Sequence, residues 1–330
     1  MVAIDRRKRT LLPALLVPML VLWSCTLYTV ETTLNADGSG VRRERMEVDE
    51  TADVDFQVSS ESFRELMNVS EQDGWSYRKE VQDGDEIHVL TREARVRNLA
   101  GWSDLSRRIH ISAAVDRGSE GAAGDSRYTN VGFWNSVRVE SGQRPDGRTY
   151  TFRERFYWEN LVDVWIEYML EDLRGGMQVR YPALEPEQRG ELIGLVKGAL
   201  WTAVEEGLWD MSGSERAREF APLMGRLTAQ ALRIVRARYP REDSSFFTGA
   251  FTRLFVEDDD ETEGFLEENL PGVALAANME IIVRLDMPGQ VIDSNAHERD
   301  GSTLVWEFSP LDAIRTPIEV FAESRIEQEP

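Results

Sequence analysis

Few residues of this chain carry side chains that do chemistry, and their spacing narrows the field further. Of its 330 residues one is cysteine, Cys25, and three are histidine: His88, His110 and His297. The histidines lie far apart, and none has a second His or Cys at metal-ligand spacing. Each is read as a solvated or core side chain. No Gly-x-Ser-x-Gly elbow, His-Glu-x-x-His pair, P-loop or Gly-x-Gly-x-x-Gly turn occurs. The acidic run Glu257 to Gly264 lacks the sixth-position glycine and the regular odd-position ligands of an EF-hand, so it reads as a solvated connection. Scattered carboxylates remain, and two that meet in space with separated pKa values would make a hydrolase. Nothing in the sequence selects such a pair. No catalytic residue, metal or cofactor is assigned.

The thiol of Cys25 is different, because its surroundings give it a purpose. Arg6, Arg7, Lys8 and Arg9 form a basic cluster, and an apolar run follows from Leu11 to Leu22. That run is too short for a spanning helix, which needs roughly 20 residues. A basic region, a short apolar region and a small residue before the cut mark a secretory signal. The order Leu22-Trp23-Ser24-Cys25 resembles the bacterial lipobox, in which the cysteine sulfur is alkylated with diacylglycerol before cleavage. Residues 1–24 are then the signal and Cys25 the lipidated N-terminus of the mature chain. Two or three acyl chains, at about 0.8 kcal/mol per buried methylene, hold a protein on a membrane where one holds only marginally. Thr26 stands after the cysteine in place of aspartate, so in a cell with two membranes the outer one, facing the periplasm, is expected.

Composition bounds the partners. Formal charge is −21, and losing the signal, with its four basic residues and one acidic, takes it to near −24. Such a chain repels polyanions, and nucleic acid is excluded as a partner through general charge. With no second cysteine there is no disulfide framework, so the fold must stand on its core.

The elements follow from periodicity. Five Asp-Gly pairs punctuate the chain, at Asp37-Gly38, Asp73-Gly74, Asp83-Gly84, Asp146-Gly147 and Asp300-Gly301. Asp-Gly supplies the positive φ of tight turns, and alternating stretches flank several of them. Around residues 129–139, Thr129, Val131, Phe133, Val137 and Val139 share one face, interrupted by Asn135. Short helices are expected near 60–71 and over "VRNLAGWSDLSRR". From Trp158 the period becomes helical, with Leu161, Val162, Trp165, Met169 and Leu173 on one face. A second helix opens at Pro186, a third spans about 214–239 and a shorter one covers "SSFFTGAFTRLF". Gly190, Gly194 and Gly198 recur on the second and suggest close packing against a neighbouring helix. Alternation returns with Met279, Ile281, Val283 and Leu285, then Leu304, Trp306 and Phe308, then "IEVFAES".

Strands, then helices, then strands give an α+β class: an antiparallel sheet built from N- and C-terminal strands, with a helical block packed beside it. The expected parts are 25–157, rich in strands, 158–270, helical, and 271–330, completing the sheet.

The C-terminal stretch "MEIIVRLDMPGQVIDSNAHERDGSTLVWEF" has a distinctive order: a strand ending in Met-Pro-Gly, then Ser-Asn, a glycine turn and a tryptophan strand. It resembles the C-terminal part of LppM-type lipoprotein domains, and "TTLNADGSGVRRERMEV" resembles their start. The likeness covers roughly 26–110 and 275–325 and not the helical block. It implies an envelope lipoprotein with a mixed α+β domain, of a kind discussed as binding lipids or glycolipids in a hydrophobic cavity. No catalytic residues come with it.

The reading is therefore a lipid-anchored, non-enzymatic binding or scaffolding module of the bacterial envelope, with an envelope protein or lipid as its partner. The alternative is a carrier or sensor of an apolar envelope lipid, whose cavity lining would draw on Trp134, Phe152, Trp165 and Trp201.

Overall fold

A computed structural model describes residues 26–49, 69–82, 85–109, 131–145, 147–211, 213–256, 273 and 279–327. The first Asp-Gly pair closes a hairpin, as its flanking alternation requires. Gly38 takes φ +84°, and strand β1 (Thr26–Leu34) runs antiparallel to β2 (Gly40–Asp49). β3 (Trp75–Gln82) and β4 (Asp85–Val96) pair across the second hairpin, and β4 lies against β2. β5 (Arg107–Ile109), β6 (Gly132–Arg144) and β7 (Gly147–Glu159) follow. After the helical region come β8 (Met279–Asp286), β9 (Gln290–Ser294), β10 (Glu298–Asp300), β11 (Thr303–Phe308) and β12 (Ile318–Glu327).

The α+β class holds, and strands from both ends of the chain share sheets. They build two sheets instead of one. The larger has the order β10-β11-β8-β1-β2-β4-β3 and the smaller β5-β6-β7-β12-β9. Among the described residues every pairing is antiparallel except β1 with β8, where Thr26 lies beside Met279 and Thr33 beside Asp286. This parallel seam puts β1 in the interior of the larger sheet. The chain crosses between sheets at Pro288-Gly289, where Gly289 takes φ +75° and a side chain there would collide with the Arg325 carbonyl.

The inner faces carry the alternation seen in the sequence. Tyr28, Val30, Ile281, Val283 and Leu285 are wholly buried from the larger sheet, and Phe152, Phe156, Val320 and Ala322 from the smaller. Aromatic contacts join them: Phe156 meets Phe308 edge-on at 5.0 Å, and Trp102 meets Phe152 at 6.5 Å. Trp102 sits on the 3-10 helix Leu99–Leu105, donates to the Gly38 carbonyl at 3.1 Å, and lies so close to Gly40 that a Cβ there would fall 2.5 Å from its ring. Asn295 ties the sheets together at the other end. Its Oδ1 accepts from Trp306 Nε1 and from the Phe321 backbone N–H, and its Nδ2 donates to the Glu319 carbonyl.

Residues 162–265 form one compact unit, and 22–161 with 266–330 form the other. The helical unit contains α1 (Leu161–Arg180), α2 (Pro186–Glu205), α3 (Gly213–Val235) and α4 (Ser245–Phe255). Pro186 opens α2 as expected, and Glu185 with Gln188 forms its capping box. Two details differ from the sequence reading. On α1 the expected Leu161, Val162 and Leu173 are buried, but Ile166, Leu170 and Met177 complete the buried stripe, and Trp165 and Met169 are half-buried. The glycines of α2 are exposed, and a Cβ on Gly190, Gly194 or Gly198 would meet nothing within 4 Å, so among the described residues they pack against no helix. A ring cluster of Trp209, Phe220, Phe251 and Phe255 holds this unit's core. No helix among the described residues is long and apolar enough to cross a membrane.

Candidate functional site

Two charged residues of β2 stand where alternation calls for apolar ones. Arg42 and Glu44 share the inward face with Met46 and Val48, and all four are buried. What they meet explains them. Arg42 reaches across to the smaller sheet and donates to both carboxylate oxygens of Glu154 on β7, Nη1 at 3.0 Å and Nη2 at 2.7 Å. Asn135, the polar break in the β6 alternation, is 1% exposed and donates from Nδ2 to the same Glu154 carboxylate at 2.6 Å. Its Oδ1 accepts from the Arg107 backbone N–H.

Glu44 is held as firmly. Tyr28 Oη donates to it at 2.6 Å, and Arg92 Nη1 at 3.2 Å from the neighbouring strand. Arg42 Nε lies 3.7 Å away. Burial pushes the Glu44 carboxyl up, but Arg42, Arg107, the Tyr28 hydroxyl and Arg92 together hold it below the ordinary carboxylate range. Burial first, and then the Glu44 charge, raises the Tyr28 phenol far above its usual range. The Arg107 guanidinium lies 4.5 Å over the Trp75 ring. The result is a hydrogen-bonded lattice of buried charged side chains joining both sheets.

On the outward face of the larger sheet lies a groove of about 490 Å³. Thr29, Glu31, Arg43, Arg45, Ser76, Arg78, Thr91 and Glu93 line it, and it shares Glu44 and Arg92 with the buried lattice. Register places these side chains: Arg43 stands between Glu31 and Glu93, and Arg45 between Thr29 and Thr91. Arg43 Nε donates to Glu93 at 3.1 Å, and Arg95 Nε to its other oxygen at 3.1 Å. Arg45 and Arg78 both hold Glu80. Hydrogen bonds from Arg95 and Arg43 lower the Glu93 carboxyl, and one from Arg45 lowers Glu80. Both are ionised at neutral pH, so neither is poised to donate a proton. Hydroxyls and exchangeable ion pairs suit this groove to binding a polar, mixed-charge surface. Exposed pairs like these each contribute at most about 1 kcal/mol, so they can be traded for contacts with a partner.

One carboxyl of the β unit shifts the other way. Its hydrogen bond to Glu307, helped by partial burial and by that neighbour's charge, raises Glu280 above the usual range. The pair sits outside the groove, on the exposed positions of β8 and β11. A raised folded-state pKa means stability that is full at acid pH and lost as pH rises through it. Glu307→Gln should therefore raise the melting temperature at pH 7, and the gain should shrink toward pH 4. An equal gain at both pH values would show that like-charge repulsion is not its cause.

The residues singled out from the sequence are divided between the two units. Cys25 and His110 fall outside the described residues, as does the acidic run of 257–264. Phe152 is fully buried between the sheets. Trp134 is half-buried, donates to Glu159 at 2.9 Å and stacks on Tyr157. Register sets Trp134 opposite Tyr157 and Phe152 opposite Val139, which places the two rings on opposite faces of the β6–β7 pair. Trp165 packs edge-on to Trp209 at 5.3 Å in the helical unit, where Trp201 is half-buried on α2. His88 is a core residue whose Nδ1 shares a hydrogen bond with Tyr77 Oη at 2.8 Å. The exposed His297 accepts from the Glu307 backbone N–H through its Nδ1. The lattice of Arg42, Glu44, Glu154 and Asn135 went unread in the sequence. Its available signal was charge and amide at core parity.

Comparison with known proteins adds little. No family model matches the chain, and no curated protein matches it in sequence. Among solved structures, the NMR structure of the folded domain of the Mycobacterium tuberculosis LppM protein is similar at 7% identity. The match covers 92% of this chain and 91% of that one, with a TM-score of 0.31. At that score the likeness is too slight to carry fold or function.

Proposed function

We propose that this chain is a bacterial envelope lipoprotein, held on a membrane by acyl chains on Cys25, whose β unit is a non-enzymatic binding module. In a two-membrane cell its place is the outer membrane, facing the periplasm. The anchor rests on the basic cluster, the short apolar run and Ser24-Cys25. The observation that supports binding over chemistry is the groove, with its hydroxyls and arginine-paired, ionised carboxylates on a sheet stiffened from behind by the Arg42–Glu154 pair. Its fitting partner is a protein surface or headgroup of mixed charge.

Two experiments test this. Cys25→Ala should abolish labelling by radioactive palmitate and leave the signal uncut or the product soluble; persistent labelling would remove the anchor. A pull-down from envelope extract with soluble residues 26–330 should recover a discrete partner at low salt. Arg43→Glu with Arg78→Glu should lose it without loss of folding. Turnover of a cell-wall or ester substrate that disappears on changing one acidic residue, with folding intact, would replace binding by catalysis.

A further inference from the structure

The anchor and the fold leave no chain between them. Thr26, the residue after Cys25, is 1% exposed and already the first residue of β1. It is paired on both sides, with Val48 of β2 and with Met279 of β8. Neighbouring Cα atoms across a trans peptide are about 3.8 Å apart. We propose, resting on the acylation of Cys25, that the β unit lies directly against the bilayer, with the Thr26 end of the larger sheet as its membrane-contact surface.

The surface at that end can be read from the register. The row through Thr26 continues across Val48 and His88 to Lys79. Beyond this row β3 and β4 run on to Gln82 and Asp85, three residues further and so about 10 Å at the rise of a strand. The twist of the sheet swings this hairpin sideways without carrying it to the far end. Val81 on it is 71% exposed, a large apolar side chain left in the open. Lys79 and Glu86 beside it pair at 2.8 Å. One apolar side chain and a neutralised ion pair suit the headgroup layer of a zwitterionic bilayer. A tetherless anchor also fixes orientation. β1 stands on the bilayer by its first residue, and the turn at Ala36 stands at its other end, roughly 30 Å away for nine residues of strand. The groove, lined from the middle of β1 and β2, then opens alongside the membrane instead of floating free of it.

The test uses the acylated full-length protein in phosphatidylcholine vesicles that carry a nitroxide-labelled lipid as quencher. With Cys25 blocked by lipid, Val81→Cys gives a single thiol for a fluorophore, and Ala36→Cys gives the comparison at the far end. Quenching should be several-fold stronger at position 81 than at 36. Inserting twenty Gly/Ser residues between Cys25 and Thr26 adds a coil of about 25 Å and should remove most of that difference. Gln82→Cys serves as a second probe of the same tip. Mass spectrometry of each sample reports whether Cys25 carries its chains. Equal quenching at 81 and 36, or a difference that survives the insertion, on a protein shown to be acylated would overturn the contact surface and leave the anchor standing. A Cys25 without acyl chains would overturn both.

Discussion

Replacing Arg42 by alanine should destabilise the β unit by about 3–5 kcal/mol, the usual cost of removing one partner of a buried ion pair. The cost arises on the other side of the pair. Glu154 is wholly buried, and Arg42 supplies two of its hydrogen bonds while Asn135 supplies another. Without the guanidinium a carboxylate stays in the core with one amide donor, and Glu44 loses the first of the charges that hold it ionised. Glu154→Ala should cost a similar amount. Arg42→Met with Glu154→Leu should recover part of the loss, because it removes both desolvated charges together. Asn135 would then lack its acceptor, and Glu44 would still lack Arg42, so recovery should be incomplete. Hydrogen exchange at the amides of β1, β2 and β7 is the suitable readout, since a chain with two compact units need not melt in one step. A loss under about 1 kcal/mol for both single variants would mean that the pair is not sealed from water.

The same lattice sets an acid limit. The Glu44 carboxyl is depressed in the folded state, so its contribution is present above the ordinary carboxylate range and is lost as pH falls through the lowered value. Arg42→Ala should move acid unfolding to higher pH, and Arg92→Ala should do so less, because Arg92 acts most weakly of the groups holding Glu44.

Local chemistry was legible in the sequence and distant pairing was not. Asp37-Gly38 and Asp300-Gly301 mark hairpins because positive φ is a property of one residue, and both glycines adopt it. Asp73-Gly74 satisfies the same chemistry in another setting, as the left-handed cap of a 3-10 turn. The inward faces of β8, β11 and β12 follow from period two alone. The parallel seam of β1 with β8 joins residues some 250 positions apart, and no spacing records it. On α1 the apolar set was wide, and packing buried Ile166 and Leu170 with the expected Leu161, Val162 and Leu173 while leaving Trp165 and Met169 half-buried. The glycines of α2 suggested close contact only because small residues permit it; permission is not contact. Within the candidate site, Asn135 was visible as a break in the β6 pattern, and its role needed Glu154, nineteen residues away, to give the break a meaning.

A chain ending at residue 272 should lose the cooperative fold of its β unit altogether. The strands it lacks include interior ones. β8 lies between β1 and β11, and β12 between β7 and β9, so the cut leaves β1 and β7 as bare edges of two separate sheets. Each edge is long, nine residues on β1 and thirteen on β7, and each backs onto a core face. Ile281, Val283, Leu285, Trp306, Val320 and Ala322, all buried to within 2% of full, would no longer cover Tyr28, Val30, Phe152 and Phe156. Burial of a single large apolar side chain contributes about 1.5–3 kcal/mol, so losing the five large ones among them is comparable with the whole 5–15 kcal/mol that a domain commands. Long, apolar, unpaired edges also favour association between copies. The shortened chain should therefore aggregate, or show no protected amides in β1 and β2 by hydrogen exchange. The parallel seam makes this outcome sharper than for a linear array of hairpins, in which a lost end strand leaves its neighbours paired. The Arg42–Glu154 bridge does not rescue it, because an ion pair opened to water is worth about 1 kcal/mol or less. A cooperative melt of residues 26–157 alone, with native-like protection of β1, would mean that the first seven strands hold a core of their own and that the C-terminal strands only dock onto it.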